Sequence, residues 1–309
     1  MKKIFYCLMA ATAAFAGSCT NEENVNTPQS DGTVSFQVSL PVNLGTRAYG
    51  DGLTATTLHY YVYEKSKGDA AAPVFQGEAQ FTNKNASFSV KLIASKTYSI
   101  AFWADAGTPS PYTYNPTERT ISVSYVGATA QDEKRDAFYY YLPEVTVATV
   151  PTDPIKLTRP FAQINVGTSD FDDAVKSGWT ISQSGLKVSG AGTKFNLTTG
   201  AVTAASDTDI TFANAAIPTE NFPDGTETSI YKYLSMNYIL IGKDATVDVK
   251  LTVTDGTTPK ELSYTNIPVK KNYRTNIFGA LLTNSTTFNV TIDPSFAGTE
   301  NSSQGNSGN

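Results

Sequence analysis

From Thr33 the chain alternates: Val34, Phe36, Val38 and Leu40 fall on one side of an extended segment, and Ser35, Gln37 and Ser39 on the other. Successive side chains of a strand point to opposite faces of a sheet, so such a pattern buries one face and wets the other. The period returns in Phe88, Val90 and Leu92, in Tyr98, Ile100 and Phe102, and in Ala162, Ile164 and Val166. It recurs again in Val247, Val249, Leu251 and Val253, and in Phe288, Val290 and Ile292. Clusters of Gly, Pro, Asn and Asp separate these runs, and Asp255-Gly256 marks a hairpin between the Val247 run and the run from Leu262 to Ile267. Many short alternating segments joined by turn residues predict an all-β chain of antiparallel β-sandwiches.

One short helix is predicted over Asp170 to Lys176. Ser169 or Asp170 can cap it, Phe171, Ala174 and Val175 share a face, and Gly178 stands where a C-terminal glycine belongs. Pro143 to Pro154 is the expected internal boundary, because proline removes ladder bonds and few contacts would cross such a stretch. It divides an N-terminal β-sandwich domain, 33–154, from a C-terminal one, 155–296.

The ends differ from the body. Met1-Lys2-Lys3 opens an apolar run from Ile4 to Ala16, the layout of a secretory signal peptide over residues 1–18 and too short for the roughly 20 residues of a membrane span. Small residues then lead into Cys19, an arrangement that resembles a bacterial lipobox with Cys19 as the lipidated first residue. The other cysteine, Cys7, lies inside the leader, so no disulfide pair survives processing. Glu22-Glu23 resembles the surface-export signal of Bacteroidetes lipoproteins, or is a plain acidic linker. Residues 19–32 have too little apolar area to offset their ordering entropy and read as a flexible tether, and 297–309 as a disordered tail. The formal charge is −5, and loss of Lys2 and Lys3 with the leader makes it more negative, which offers nothing to nucleic acid.

Catalytic signatures are sparse. His59 is the single histidine, so the usual zinc sites and a Cys/His nucleophile are excluded, and no metal or cofactor is expected. No Gly-x-Ser-x-Gly elbow occurs. Asp132, Glu133, Asp136, Asp172 and Asp173 read as solvated acids on loops, not as a facing pair. The chain is therefore not expected to be an enzyme. Aromatic runs at Tyr60, Tyr61 and Tyr63 and from Phe138 to Tyr141, with Trp103 and Trp179, either stack on sugars and protein partners or fill β-cores.

Three stretches carry a resemblance: Leu157 to Gly167 (LTRPFAQINVG), Tyr233 to Leu240 (YLSMNYIL), and Asn272 to Gly279 (NYRTNIFG) on to Leu282. They are similar to the fimbrillin-like lipoproteins of Bacteroidales, which include pilus stalk, anchor and tip subunits. That resemblance implies two transthyretin-like sandwich domains on the outer membrane surface and assembly with other pilin subunits by strand exchange. It also implies an Arg-directed cut after the first strand, which falls here between Arg47 and Ala48 in Gly45-Thr46-Arg47-Ala48. Loss of a first strand would uncover an apolar groove that another strand can fill. The segment Thr286 to Ile292 alternates as a donor should, whereas the Gly, Ser and Asn-rich tail does not, which leaves stalk, capping and accessory roles open. The aromatic runs support a second expectation, a monomeric surface lipoprotein that binds glycan. A host or bacterial surface ligand, protein or glycan, fits either.

Overall fold

The structure, a computed structural model of the 309-residue chain, describes residues 32–41, 49–220, 222, 231–242, 244–283 and 288–294. Strands dominate it. The first part of the chain forms β1 (Thr33–Ser39), β2 (Thr57–Glu64), β3 (Phe75–Gln80), β4 (Asn85–Lys91), β5 (Tyr98–Asp105), β6 (Tyr112–Asn115), β7 (Thr120–Val123) and β8 (Phe138–Val145). There follow β9 (Ile155–Lys156), β10 (Phe161–Thr168), helix α1 (Phe171–Lys176), β11 (Gln183–Val188), β12 (Gly192–Asn196), β13 (Val202–Ala205) and β14 (Ile210–Ala216). The last strands are β15 (Lys232–Leu240), β16 (Asp244–Thr254), β17 (Lys260–Lys270), β18 (Arg274–Gly279) and β19 (Asn289–Asp293). All six alternating runs fall on strands, with Leu40, Leu92 and Phe288 one residue beyond a strand end, and the fold is all-β and sandwich-like; in the last run, on β19, Phe288 and Ile292 are exposed.

The strands make four sheets. The first is β4-β1-β9, and the second is β3-β2-β5-β8. The third runs β19-β18-β10-β15-β12-β7-β6 with β13 on the flank of β12, and the fourth is β14-β11-β16-β17. Most neighbours are antiparallel, but β1 lies parallel to β9 and β10 parallel to β18. Three apolar cores separate the sheets. Val34, Phe36, Val38 and Phe88 of the first sheet meet Leu58, Val62, Ile100 and Phe102 of the second. Tyr63, Ala101 and Trp103, on the second sheet's other face, meet Phe161, Phe195, Met236 and Tyr238 of the third. Ala162, Ile164, Val166 and Ile277, on the far face of the third, meet Val188, Phe212, Val249 and Leu251 of the fourth.

This stacking decides the burial of each strand. The outer face of the first sheet carries exposed Ser35 and Gln37, so β1 alternates between buried and exposed residues. By contrast β5 and β10 stand in inner layers, and all eight residues of each are buried.

Strands from either side of Pro143 to Pro154 pair beyond it. The short β9 joins the first sheet, Leu157 packs in the first core, and β7 pairs with β12 in the third sheet. The helix forms where expected, with Ala174 buried and Gly178 at φ +91° after its end. Asp170 does not cap it through its side chain, however. Its carboxylate instead accepts from Leu282 N at 3.2 Å and from Thr283 N and Oγ1 at 2.6 Å each, which ties the end of the β18 segment to the end of β10. The hairpin at Asp255-Gly256 is present, with Gly256 at φ +100° and the Asp255 carboxylate accepting from Thr257 N and Thr258 N.

Candidate functional site

β1 sits between two unequal neighbours. It pairs with β4 along its whole length, from Thr33 opposite Lys91 to Ser39 opposite Asn85, but with β9 only at Val38 and Ser39. Further backbone bonds close its ends, Leu92 N to Gly32 O at 2.8 Å and Leu40 N to Lys84 O at 2.9 Å. Val34, Phe36, Val38 and Leu40 are each no more than 7% exposed. The Phe36 ring stacks on Phe88 at 5.2 Å, and Phe88 in turn lies 3.9 Å from Tyr60. At about 1.5–3 kcal/mol for each large side chain, β1 is held mainly by this apolar stripe. Its removal would bare one wall of the first core and the inner edge of β4.

A second arrangement holds the chain at Tyr49 and Gly50, and it is made of charge. Arg159, fully buried, sets Nε and Nη2 on the two Asp136 oxygens at 2.8 and 3.0 Å, with its guanidinium 4.5 Å from the centre of the Phe138 ring. The same Nη2 donates to Gly50 O at 2.6 Å. Gly50 N donates to both Glu133 oxygens, Oε1 at 3.2 Å and Oε2 at 3.0 Å, and Tyr238 Oη donates to Oε1 at 2.7 Å. Arg274 donates from Nη2 to Tyr49 O at 2.6 Å and from Nε to Gln163 Oε1 at 2.8 Å. Asn165 continues the network, donating to Gln163 and Asn276 and accepting from Tyr233 Oη at 2.6 Å. The Tyr49 ring meets Tyr233 edge-on at 5.2 Å, and its hydroxyl donates to Glu220 at 3.1 Å.

Burial and the like charge of Asp136 push the Glu133 carboxyl up to about 7, against the hydrogen bonds from Tyr238 and Gly50. Asp136 is wholly buried and Glu133 partly so, which corrects the expectation that both are solvated loop acids. The correction has a topological cause. The turn Glu133–Arg135, with Asp136 directly after it, leads into β8, whose neighbour Ala137 packs in the core between the second and third sheets. Asp132 accepts from Lys134 N within that turn, and Asp172 and Asp173 are exposed in the first turn of α1, as expected.

The three stretches that carry the family resemblance supply most of this network: Arg159, Gln163 and Asn165, then Tyr233 and Tyr238, then Arg274 and Asn276. Gly167 closes the first stretch for a steric reason. A Cβ there would stand 2.3 Å from Phe222 Cδ2, and Phe222 packs edge-on against Tyr233 at 5.2 Å. Sequence reasoning named these stretches without assigning their polar residues a role. The available signal was Arg, Gln and Asn recurring between apolar residues that alternate as in a core strand.

Most of the aromatic residues fill cores, whereas Tyr140 is exposed. Tyr61 stacks on Tyr114 at 3.6 Å, Trp103 lies edge-on to Tyr112 at 5.0 Å, and Tyr139 edge-on to Phe195 at 4.6 Å, all between the second and third sheets. Trp179 packs against the third core, with Lys260 Nζ over its ring. His59 joins strands, its Nδ1 3.1 Å from Glu78 of β3 and its Nε2 3.5 Å from Asp105 of β5. Burial works against its charged form, but hydrogen bonding and attraction to Asp105 and Glu78 prevail, and its affinity for a proton is raised. Cys19, Arg47 and Ala48 lie outside the described residues.

Layered sheets, a strand seated across the first core and a buried charged network define a β-sandwich protein without an evident reaction centre among its described residues. The chain belongs to the family of unknown function DUF6562, whose model matches residues 26–307. No curated protein matches it. Among solved structures it is similar to one from Bacteroides thetaiotaomicron named for polysaccharide binding (15% identity, 79% of this chain and 91% of that one, TM-score 0.49). It is also similar to a fimbrial assembly protein from Parabacteroides distasonis (16%, 84% and 99%, TM-score 0.44) and to a structure from Bacteroides ovatus named for cell adhesion (14%, 84% and 97%, TM-score 0.47). Likeness at this level does not carry function across.

Proposed function

We propose that the chain is a lipid-anchored cell-surface protein of the fimbrillin-like kind, a pilus subunit or an accessory or tip adhesin, that assembles by strand exchange after an Arg-directed cut. Cys19 carries the lipid, residues 19–32 hold the body off the outer membrane, and the cut falls between Arg47 and Ala48. Residues 33–154 make up the N-terminal sandwich and 155–296 the C-terminal one, with β6 and β7 of the former pairing into the third sheet and β9 of the latter into the first. The observation that supports this reading is the seat of β1: a complete apolar stripe over the first core, full pairing on one side and two residues of pairing on the other. A strand so held stays in place after a cut, through packing and ladder bonds, and yields to a competing strand of the same pattern. Most of the rings on which a glycan-binding reading rested pack in the cores, with Tyr140 exposed, and no catalytic step enters the proposal.

The test is digestion of the mature protein with an Arg-specific protease, followed by light scattering. Cleavage after Arg47 and growth into oligomers are expected, with Arg47→Ala remaining uncut and monomeric. Equal assembly by the Arg47→Ala protein would overturn the reading.

A further inference from the structure

Tyr49 and Gly50 follow Arg47-Ala48 directly, and side chains bind their main chain. Both carbonyls receive a guanidinium N–H at 2.6 Å, Tyr49 from Arg274 and Gly50 from Arg159, while the Gly50 amide donates to the Glu133 carboxylate. The groups that bind are costly to bury. Arg159 and Asp136 are fully buried, and Arg274 is 1% exposed. Nothing in packing the cores requires charge there, since apolar residues of similar volume often serve as well or better. Charge-assisted bonds are also stronger than neutral ones, and two arginines on consecutive carbonyls fix a dipeptide in direction as well as position. Gly50 adopts φ +77°, a conformation that turns the chain while keeping its N–H and C=O directed at these partners.

We propose that Glu133, Asp136, Arg159 and Arg274 form a latch that clamps residues 49–50 to the third sheet, so that release of β1 stops at Tyr49. The upstream side of the 42–48 segment is held by exchangeable apolar packing, the downstream side by buried charge. A cut between them frees one end and leaves the other docked, and the body stays closed while the first core opens. The consequence for release rests on the strand-exchange reading above. The latch itself does not, and it is present in the uncut chain.

Hydrogen–deuterium exchange of the full mature chain, read by mass spectrometry on peptides covering 49–54, tests it. The parent peptide is expected to exchange at least about tenfold more slowly than the exposed turn at 66–71, as bonds to charged partners of roughly 1.5–3 kcal/mol imply. Glu133→Gln and Arg274→Lys should each speed the 49–54 peptide by about tenfold or more, with peptides from β5 and β16 unchanged as the check that the fold persists. After Arg-specific digestion, chymotrypsin should spare Tyr49 in the parent and nick it in the variants. A parent peptide as fast as the 66–71 turn, or folded variants with unaltered exchange, would refute the latch. Should either variant fail to fold, the parent's own exchange rate decides. Failure of the protease to cut at Arg47 would instead count against strand exchange, with the uncut exchange data still deciding the latch.

Discussion

β1 and β10 carry the same period and end in opposite circumstances. In β1 the residues between the apolar positions, Ser35 and Gln37, face solvent, because no sheet covers the outside of the first layer. In β10 the corresponding residues, Gln163 and Asn165, are wholly buried against the second sheet's side of the stack. Both strands obey the alternation, yet only one has a wet face. Alternation therefore reports that two faces differ, and the number of layers decides what the difference is. Where the polar face is covered, each polar group must find a partner, and the network of Gln163, Asn165, Arg274 and Asn276 is the outcome.

The sharpest way to break this comparison is at the buried pair. Arg159→Ala leaves the Asp136 carboxylate buried without its guanidinium, and removing one partner of such a pair costs about 3–5 kcal/mol. Urea denaturation should show that loss, with a matching fall for Asp136→Ala; a change under about 1 kcal/mol would mean that water reaches the site. Next comes Gln163→Leu, which keeps the volume but takes the shared acceptor from Arg274 Nε and Asn165 Nδ2. Each buried donor so orphaned costs about 1–3 kcal/mol, and the denaturation midpoint should fall accordingly.

A pH series sharpens it further. The Glu133 carboxyl is held at about 7 in the folded protein against an ordinary 4.5, so the folded state binds the extra proton. Its contribution to stability is full below 4.5 and is lost as pH rises through about 7, at no more than ~1.4 kcal/mol per pH unit. Stability measured from pH 5 to 8 should therefore fall with rising pH, and Glu133→Gln should flatten the slope. His59, whose proton affinity is also raised, has the same sign, with its loss falling above its ordinary 6.5. The slope that survives in Glu133→Gln should shrink further when His59→Gln is added, leaving the contribution of buried Asp136, whose proton affinity burial also raises; a slope unchanged by both would place the titrating group elsewhere.

Much of the fold was legible because local chemistry decides it. The alternating runs gave strands, Asp255-Gly256 a hairpin, and the 170–176 segment its helix. What the sequence hid is tied to distance along the chain. Asp136 and Arg159 are 23 residues apart, and Arg274 reaches Tyr49 across 225. No local pattern announces such a meeting, so Glu133 and Asp136 looked like ordinary loop acids. The same holds for the insertion of β6 and β7 into the third sheet, a long-range pairing set by the stack and not by either strand. Asp170 misled for a different reason. A carboxylate before a helix is a good cap, but here the backbone of Leu282 and Thr283 competes for it and wins.

The smallest expected effect lies on β1 itself. Gln37→Leu makes the same chemical change as Gln163→Leu, at the same kind of position, in a strand of the same period. Gln37 is exposed opposite exposed Ser87 of β4, and no side-chain network depends on its amide among the described residues. Leucine keeps the strand's extended preference, so the change in stability should stay within about 0.5 kcal/mol, as for other surface substitutions. The pair of variants thus differs only in what covers the polar face, and the difference between their denaturation midpoints measures that covering directly. A cost above about 1 kcal/mol for Gln37→Leu would mean that the outer face of the first sheet is packed in solution, and the contrast between β1 and β10 would then collapse.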